Sequence, residues 1–278
     1  MSEVVIQTEN LVHTYPKGNV MALKGVGLKI YQGDIVSIVG QNGSGKTTLV
    51  RHFNGLLRPT SGSVKLLGED TAGKSVGEMS KRCGYVFQNP NHQIFCSTVR
   101  EELEVGPKNM GFTEKEMEES IAEVADLMNL KGILEKHPMT LDYTSKKIVT
   151  IASVLVFRPA VLVLDEPTGG LDEVGRQMLS KIIRMMHEIG HTVIMISHDM
   201  DYVAENSSRI IVMADGQIQD DGAPGEIFTN EEVLKFAQVE PPQISQLDLY
   251  LSKQRGSKGS VALSVKEFIE KYNTKQGG

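Results

Sequence analysis

The residues Gly40-Gln41-Asn42-Gly43-Ser44-Gly45-Lys46-Thr47 follow the pattern G-x-x-x-x-G-K-[ST], a loop that holds nucleotide phosphates. Its glycines let successive backbone N–H groups turn toward phosphate oxygens, and a helix starting behind the loop adds the positive end of its dipole. Lys46 then neutralises the β- and γ-phosphates, and the Thr47 hydroxyl is suited to Mg²⁺. Gly40, Asn42, Gly43, Ser44, Gly45 and Thr48 complete the candidate nucleotide contacts around them. A second cluster, Leu162-Val163-Leu164-Asp165-Glu166, is an apolar strand that delivers two carboxylates to the edge where ligands of open α/β sheets gather. Asp165 reads as a metal ligand acting through water, and Glu166 as the group that polarises an attacking water.

An acidic pair after an apolar strand is also a common helix cap, and the phosphate loop is what gives this one chemical meaning. His198 is similar: a lone histidine after the strand-like run Thr192 to Ile196 needs no function, until the other elements supply one. The stretch His187-Glu188-Ile189-Gly190-His191 has zinc-protease spacing. That chemistry needs both rings on one helical face, and Gly190 is expected to end the helix between them, so no zinc site is read here.

The elements that must position these groups can be followed along the chain. Val4 to Ile6 and Leu28 to Ile30 are short β-favouring runs, which suggests an antiparallel layer. Ile35 to Val39 is an unbroken apolar strand that enters the phosphate loop, and Thr47 to Phe53 is a helix ending near Asn54 and Gly55. From about Asn89 to Val156 the pattern is helical, with Glu114 to Leu130 the clearest segment. Val161 to Leu164, Thr192 to Ile196 and Ile210 to Met213 read as further strands, with a helix at Gln177 to Ile189. Strands alternating with helices imply a largely parallel sheet. Past Gly222 come short amphipathic pieces, broken by Pro241, Pro242 and a polar stretch from Ser252 to Ser260.

Composition sets outer bounds. A 278-residue chain with 40% hydrophobic and 23% charged residues is ordinarily globular, and a net charge of −6 argues against a broad nucleic-acid footprint. Cys83 and Cys96 have no metal-type spacing and suit a reducing cytoplasm. No run reaches the ~18 apolar residues that would span a bilayer, and the start lacks a basic region followed by an apolar one. Any membrane role is therefore expected to run through a partner.

With these motifs in this order, the chain resembles the nucleotide-binding subunits of ABC transporters over about residues 3–225. The resemblance implies an α/β P-loop NTPase fold of ABC type: a parallel core sheet, an N-terminal antiparallel β layer, and a helical subdomain at about 89–157. An ATPase domain at 1–225 would carry a small C-terminal extension at 226–278, able to dimerise or merely to cap the core. Tyr15 falls where the family stacks an aromatic ring on adenine. Gln88, in Tyr85-Val86-Phe87-Gln88-Asn89-Pro90, matches the glutamine that contacts Mg²⁺ and the attacking water. Gly170-Leu171-Asp172 matches the D-loop, and His198 matches the switch histidine at the γ-phosphate.

The segments Phe87 to Phe95, Thr98 to Glu102, Gly106-Pro107 and Glu240 to Leu247 resemble a narrower group, the energy-coupling factor importers of vitamins and transition-metal ions. That implies a transmembrane coupling subunit docked near Gln88 to Glu104, a substrate-binding membrane subunit, and a place at the cytoplasmic face of the cell membrane.

The sequence departs from the family at its signature, Leu-Ser-Gly-Gly-Gln. Here the segment is Leu141-Asp142-Tyr143-Thr144-Ser145, and Ile148 stands where an arginine is usual. In the family this motif contacts the γ-phosphate bound by the other subunit of an ATP-sandwich dimer. Asp142 would bring negative charge toward that phosphate, and Tyr143 and Thr144 would crowd it. Lys46, Asp165, Glu166 and His198 are all retained, so a non-identical ATPase partner that carries the intact motif is the expected arrangement, with a homodimer of weak activity as the alternative. An ATP-gated regulatory clamp and a soluble, non-transport ATPase of the same family are the alternative readings.

Overall fold

Residues 35–39, 161–165 and 192–196 are buried at every position, as strands covered on both faces must be. The structure, a computed structural model, describes residues 3–255 and 260–273. The chain opens with β1 (Val4–Tyr15), β2 (Val20–Tyr31), β3 (Ile35–Val39), α1 (Lys46–Phe53), β4 (Ser61–Leu66) and β5 (Glu69–Asp70). There follow α2 (Val76–Ser80), β6 (Cys83–Val86), α3 (Val99–Met110), α4 (Glu114–Leu127) and α5 (Tyr143–Leu155). Next are β7 (Val161–Asp165), α6 (Glu173–Glu188), β8 (Thr192–Ile196), α7 (Met200–Asn206), β9 (Arg209–Ala214) and β10 (Gln217–Gly222). Four helices close the described chain: α8 (Pro224–Ile227), α9 (Glu231–Ala237), α10 (Gln243–Arg255) and α11 (Val265–Asn273).

The strands form two sheets. One has the order β10-β9-β3-β8-β7-β6 and is parallel except for β10 at its edge; the other, β2-β1-β4-β5, is antiparallel. Alternation along the central strands divides the core. Val161, Val163, Ile194 and Ile196 face the antiparallel layer and α1, with Leu49, Val50 and Phe53. Leu162, Leu164, Val193 and Met195 face α3 to α6, packing with Leu103, Ile121, Ile151 and Ile183. A third cluster joins β9 to α7, α8 and α9 through Val203, Ile210, Phe228 and Leu234.

Several expected boundaries move. The first two strands extend over 12 residues each, because Thr8 turns its hydroxyl inward to donate to the Val26 carbonyl (3.0 Å) and a register shift after Thr8 absorbs Glu9 and Asn10. The helix expected from Gln177 starts at Glu173, since Asp172 caps it by accepting from the Gly175 amide at 2.8 Å. The polar stretch expected from Ser252 is helical as far as Arg255, where Lys253 pairs with Glu231 of α9; its continuation to 259 lies outside the described residues.

Helices α10 and α11 are tied by polar rather than apolar contacts. The buried Asp248 carboxylate accepts from the Ala262 amide (2.7 Å), Lys271 (2.7 Å) and the Tyr272 hydroxyl (2.8 Å). Burial alone would raise its pKa, and these donors outweigh that and hold it below the usual carboxylate range. Asp248→Ala is expected to loosen this pair by about 1–3 kcal/mol, since it removes the acceptor of the buried Ala262 amide. Hydrogen exchange at the Ala262 amide reads that change; undiminished protection there would show that the network does not hold the helices.

Candidate functional site

The phosphate loop leaves the C-terminal end of β3 and re-enters the chain as α1. Gly40 has φ +143, and a Cβ on it would lie 2.0 Å from the Met213 carbonyl, so only glycine fits between loop and sheet. Gly45 stands at the N-terminus of α1 with no side-chain cap, so the first amides of the helix are left to bind an anion. Lys46 is buried and donates to the Gly40 (2.7 Å) and Gln41 (2.9 Å) carbonyls. Burial lowers its pKa, opposed by the nearby Glu166 and Asp165 carboxylates. The Ser44 hydroxyl is buried within the loop without a hydrogen-bond partner.

Opposite the loop, β7 ends in the carboxylates. Asp165 is buried and accepts a 2.7 Å hydrogen bond at Oδ2 from the Tyr85 hydroxyl on β6. Glu166 has a left-handed backbone, φ +48, and its amide donates to the Ile196 carbonyl of β8 (2.9 Å). The Glu166 carboxylate, 15% exposed, lies 3.4 Å from His198 Nε2 and accepts from the His198 amide at 3.3 Å. Burial raises the Glu166 pKa, partly offset by that amide. Burial and then Lys46 lower that of His198. Both shifts favour a neutral His198 as a hydrogen-bonding group beside an acid that holds its proton to higher pH than usual.

These groups converge on one cavity of about 590 Å³. Tyr15, Asn42, Gly43, Gly45, Lys46, Thr47, Thr48, Gln88, Asp165, Glu166 and His198 all line it. Gly40 and Ser44 lie behind the loop instead of on the cavity wall. Tyr15 sits at one end, its hydroxyl 3.1 Å from the Thr48 hydroxyl and its ring edge-on to His13 at 4.6 Å. Hydroxyl, carboxylate and amide oxygens from Thr47, Asp165 and Gln88 on one wall are the donor set a hard divalent cation takes.

The sequence reading missed the exposed Val20 and Met21, whose apolar side chains flank Tyr15 on the wall. It also missed Tyr85, which looks like one more apolar residue in the run 83–86 although its hydroxyl holds Asp165.

The region of the altered signature differs from expectation. Asp142 caps α5, accepting from the Ser145 amide (2.8 Å) and hydroxyl (2.9 Å), so its charge is engaged by its own helix. Those bonds hold its pKa below the usual range. Lys147, one turn further, is fully buried and donates to the Glu166 (2.5 Å) and Gly169 (3.1 Å) carbonyls. Burial pushes it down to about 8 against the pull of Glu166 and Asp165. Helix α6 ends at Glu188 and Gly190 has φ +80, while His187 Nδ1 contacts the Gly33 carbonyl at 2.6 Å, so the zinc-like spacing is interrupted.

Beyond Gln88 the chain forms a groove of about 630 Å³ with walls that include Val76, Phe87, Phe95, Val105 and Phe157. Gln93 ties this segment to α5: its side-chain oxygen accepts from the Phe87 amide (3.1 Å) and its nitrogen donates to the Thr150 carbonyl (3.1 Å). The buried Glu102 on α3 accepts from the Phe95 and Cys96 amides at 3.0 and 2.9 Å.

Residues 23–169 match the ABC transporter family. A protein of Methanocaldococcus jannaschii named energy-coupling factor transporter ATP-binding protein EcfA is 39% identical over 252 residues, 90% of each chain. A relative from Caldanaerobacter subterraneus, whose name places it with ABC transporter ATP-binding proteins, is 40% identical over 267 residues; the match covers 96% of this chain but only 46% of that one. Among solved structures, CbiO1 of Clostridium perfringens, described as part of the ABC transporter complex CbiONQ, superposes with a TM-score of 0.75 at 31% identity, covering 92% of this chain and all of that one. A dimeric ATP-binding cassette bound to ADP and Pi gives 0.72 at 28% identity, covering 78% of this chain and 98% of that one.

Two outcomes are expected from the geometry. Gly40→Ala should abolish nucleotide binding, because its Cβ displaces the loop from Met213; retained affinity in a titration would contradict the fit. The raised Glu166 pKa means that its base form is lost as pH falls through a value above the ordinary ~4.3. In kcat/KM, which reports the nucleotide-free chain, hydrolysis should therefore decline on the acid side before that point is reached. An acid limb at or below pH ~4.3 would rule out Glu166 as the titrating base.

Proposed function

This chain belongs to the ABC transporter family, and from that premise we propose that it is the ATP-hydrolysing subunit of an energy-coupling factor type importer of a small nutrient, a vitamin or transition-metal ion. The observation that carries the reading is the convergence of Lys46, Thr47, Asp165, Glu166 and His198 on one cavity, with Gln88 on its wall and Phe87, the preceding residue, on the wall of the neighbouring groove.

In this reading the phosphates of ATP lie against the amides at the start of α1 and the Lys46 ammonium, and the adenine stacks on Tyr15. Glu166 accepts the proton of the attacking water as the new oxygen–phosphorus bond forms and the bond to the β-phosphate breaks. His198 hydrogen-bonds the γ-phosphate. Thr47 and Asp165, with Gln88, are the residues that would hold Mg²⁺, which supplies charge neutralisation at the β- and γ-phosphates.

Residues 1–225 are taken as the ATPase unit and 226–278 as an extension that docks on β9 through α8 and α9. Among the described residues no helix is long and apolar enough to cross a membrane. The membrane steps therefore fall to other subunits: a transmembrane coupling protein seated in the groove beside Gln88, and a substrate-binding membrane protein, with this chain peripheral at the cytoplasmic face. Phe95, 73% exposed at the groove, supports that seat. A second ATPase subunit, non-identical and with an unaltered signature, is proposed to close over this chain's ATP. What favours it is the contrast between a fully equipped cavity and a segment 141–145 that offers Tyr143 and Thr144 in place of glycine.

ATP turnover measured on the chain alone and with such a partner tests this reading. The isolated chain is expected to bind ATP and turn it over slowly, with acceleration on pairing that Glu166→Gln removes. Rapid turnover by the chain alone, abolished by Glu166→Gln, would defeat the asymmetric arrangement. Phe95→Glu is expected to prevent recovery of membrane subunits with the tagged chain while leaving ATP affinity intact; unchanged recovery would remove the groove as the docking site.

A further inference from the structure

The start of α5 no longer resembles a motif made to reach another subunit's phosphate, yet it makes a dense set of contacts within its own chain. Contacts from Tyr143, Thr144 and Lys147 fall on the segment that follows β7. Lys147 donates to the Glu166 and Gly169 carbonyls. The Thr144 hydroxyl is 3.4 Å from the Gly170 carbonyl, which accepts from it. The Tyr143 ring covers Gly170 so closely that a Cβ there would meet Cε1 at 2.5 Å. The same ring lies 6.0 Å from the Lys147 ammonium, at the outer limit of a cation–π contact.

Glu166 needs such support. Its φ of +48 is a conformation that costs a non-glycine residue about 1–3 kcal/mol and persists only where the surroundings impose it. Its amide is fixed by the Ile196 carbonyl, and its carbonyl is fixed by Lys147, with the Gly169 amide at 3.4 Å as a weaker donor. The pair of bonds sets the direction in which the carboxylate leaves the backbone, and so its 3.4 Å approach to His198.

Resting on the reading of Glu166 as the group that activates water, we propose that the first two turns of α5, through Lys147 and Tyr143, form a brace that positions this chain's own Glu166. The altered signature thus acts in cis. Lys147 is a positioning residue: it is not among the residues that line the cavity, and it works through the Glu166 backbone. A neutral side chain at this buried site would be easier to accommodate than an ammonium whose hydrogen bonds go to carbonyls, which is why the brace and not packing accounts for a lysine here.

The test separates binding from turnover. In the membrane complex recovered with the tagged full chain, the rate above that of a Glu166→Gln complex is this chain's own turnover. Lys147→Met is expected to lower that rate about 10- to 100-fold, the cost of displacing a reacting group by a fraction of an ångström to 1 Å. ATP affinity of the full chain alone is expected to stay within about twofold, a kcat effect without a KM effect. Lys147→Arg, which keeps the donors, should recover most of the loss.

Unchanged turnover in Lys147→Met overturns the brace. So does a fall in affinity that matches the fall in rate, or an arginine variant as slow as the methionine one. If Lys147→Met does not fold, Lys147→Leu, which also lacks a donor, supplies the same comparison, and failure of both to bind ATP marks Lys147 as purely structural, which also overturns it. A Glu166→Gln complex as fast as the unmodified one defeats the assignment of Glu166 itself, and the brace with it.

Discussion

The parallel register of β3, β8 and β7 is the constraint on which the site depends. Ile196 pairs with Ile38 on one side and with Asp165 on the other, so three strands reach the same edge of the sheet within one residue of each other. The phosphate loop leaves one of them, the carboxylates leave the second, and Ser197 and His198 leave the third. A shift of one residue in either ladder would turn Asp165 and its neighbours to the opposite face, since side chains alternate along a strand. Burial on both faces forbids that shift: Val163 and Ile194 belong to one core cluster while Leu164 and Met195 belong to the other. Packing throughout the domain thereby fixes where the Lys46 ammonium and the Glu166 carboxylate stand on the cavity wall.

The parts of this arrangement that were legible in the sequence are those written in one local segment. A run of four apolar residues and one small serine leading into Gly40 reads as a buried strand followed by a loop, and β3 has the expected bounds. Gly190 stops α6 as expected because its left-handed φ suits glycine. Tertiary partners decided the rest. Val4–Tyr15 contains Thr8, Glu9 and Asn10, which weaken a strand pattern, and only the inward hydroxyl of Thr8 and a register shift show how the strand continues. Asp142 read as a charge aimed outward because its capping bonds to Ser145 depend on where α5 begins.

Tyr85 and Lys147 were invisible for one reason. Tyr85 sits in an apolar strand and Lys147 beside another lysine at the polar start of α5, and each finds its polar partner in a strand or turn distant in sequence, 80 residues away for Tyr85 and 19 for Lys147. A buried hydroxyl or ammonium must find such a partner, so polar residues in the buried phase of a strand or helix are the signal that would have found both.

The same logic links the cavity to the groove. Gln88 lines the first and Phe87 the second, and the backbone between them is held by Gln93, whose amide also grips α5 at Thr150. Helix α5 carries Lys147 one turn earlier, against the Glu166 carbonyl. A protein pressing on the groove therefore meets a segment with two routes to the cavity, through Gln88 directly and through Gln93 and α5 to Glu166. One is the backbone step from Phe87 to Gln88 and the other a short run of hydrogen bonds, so each links groove and cavity across few intervening groups.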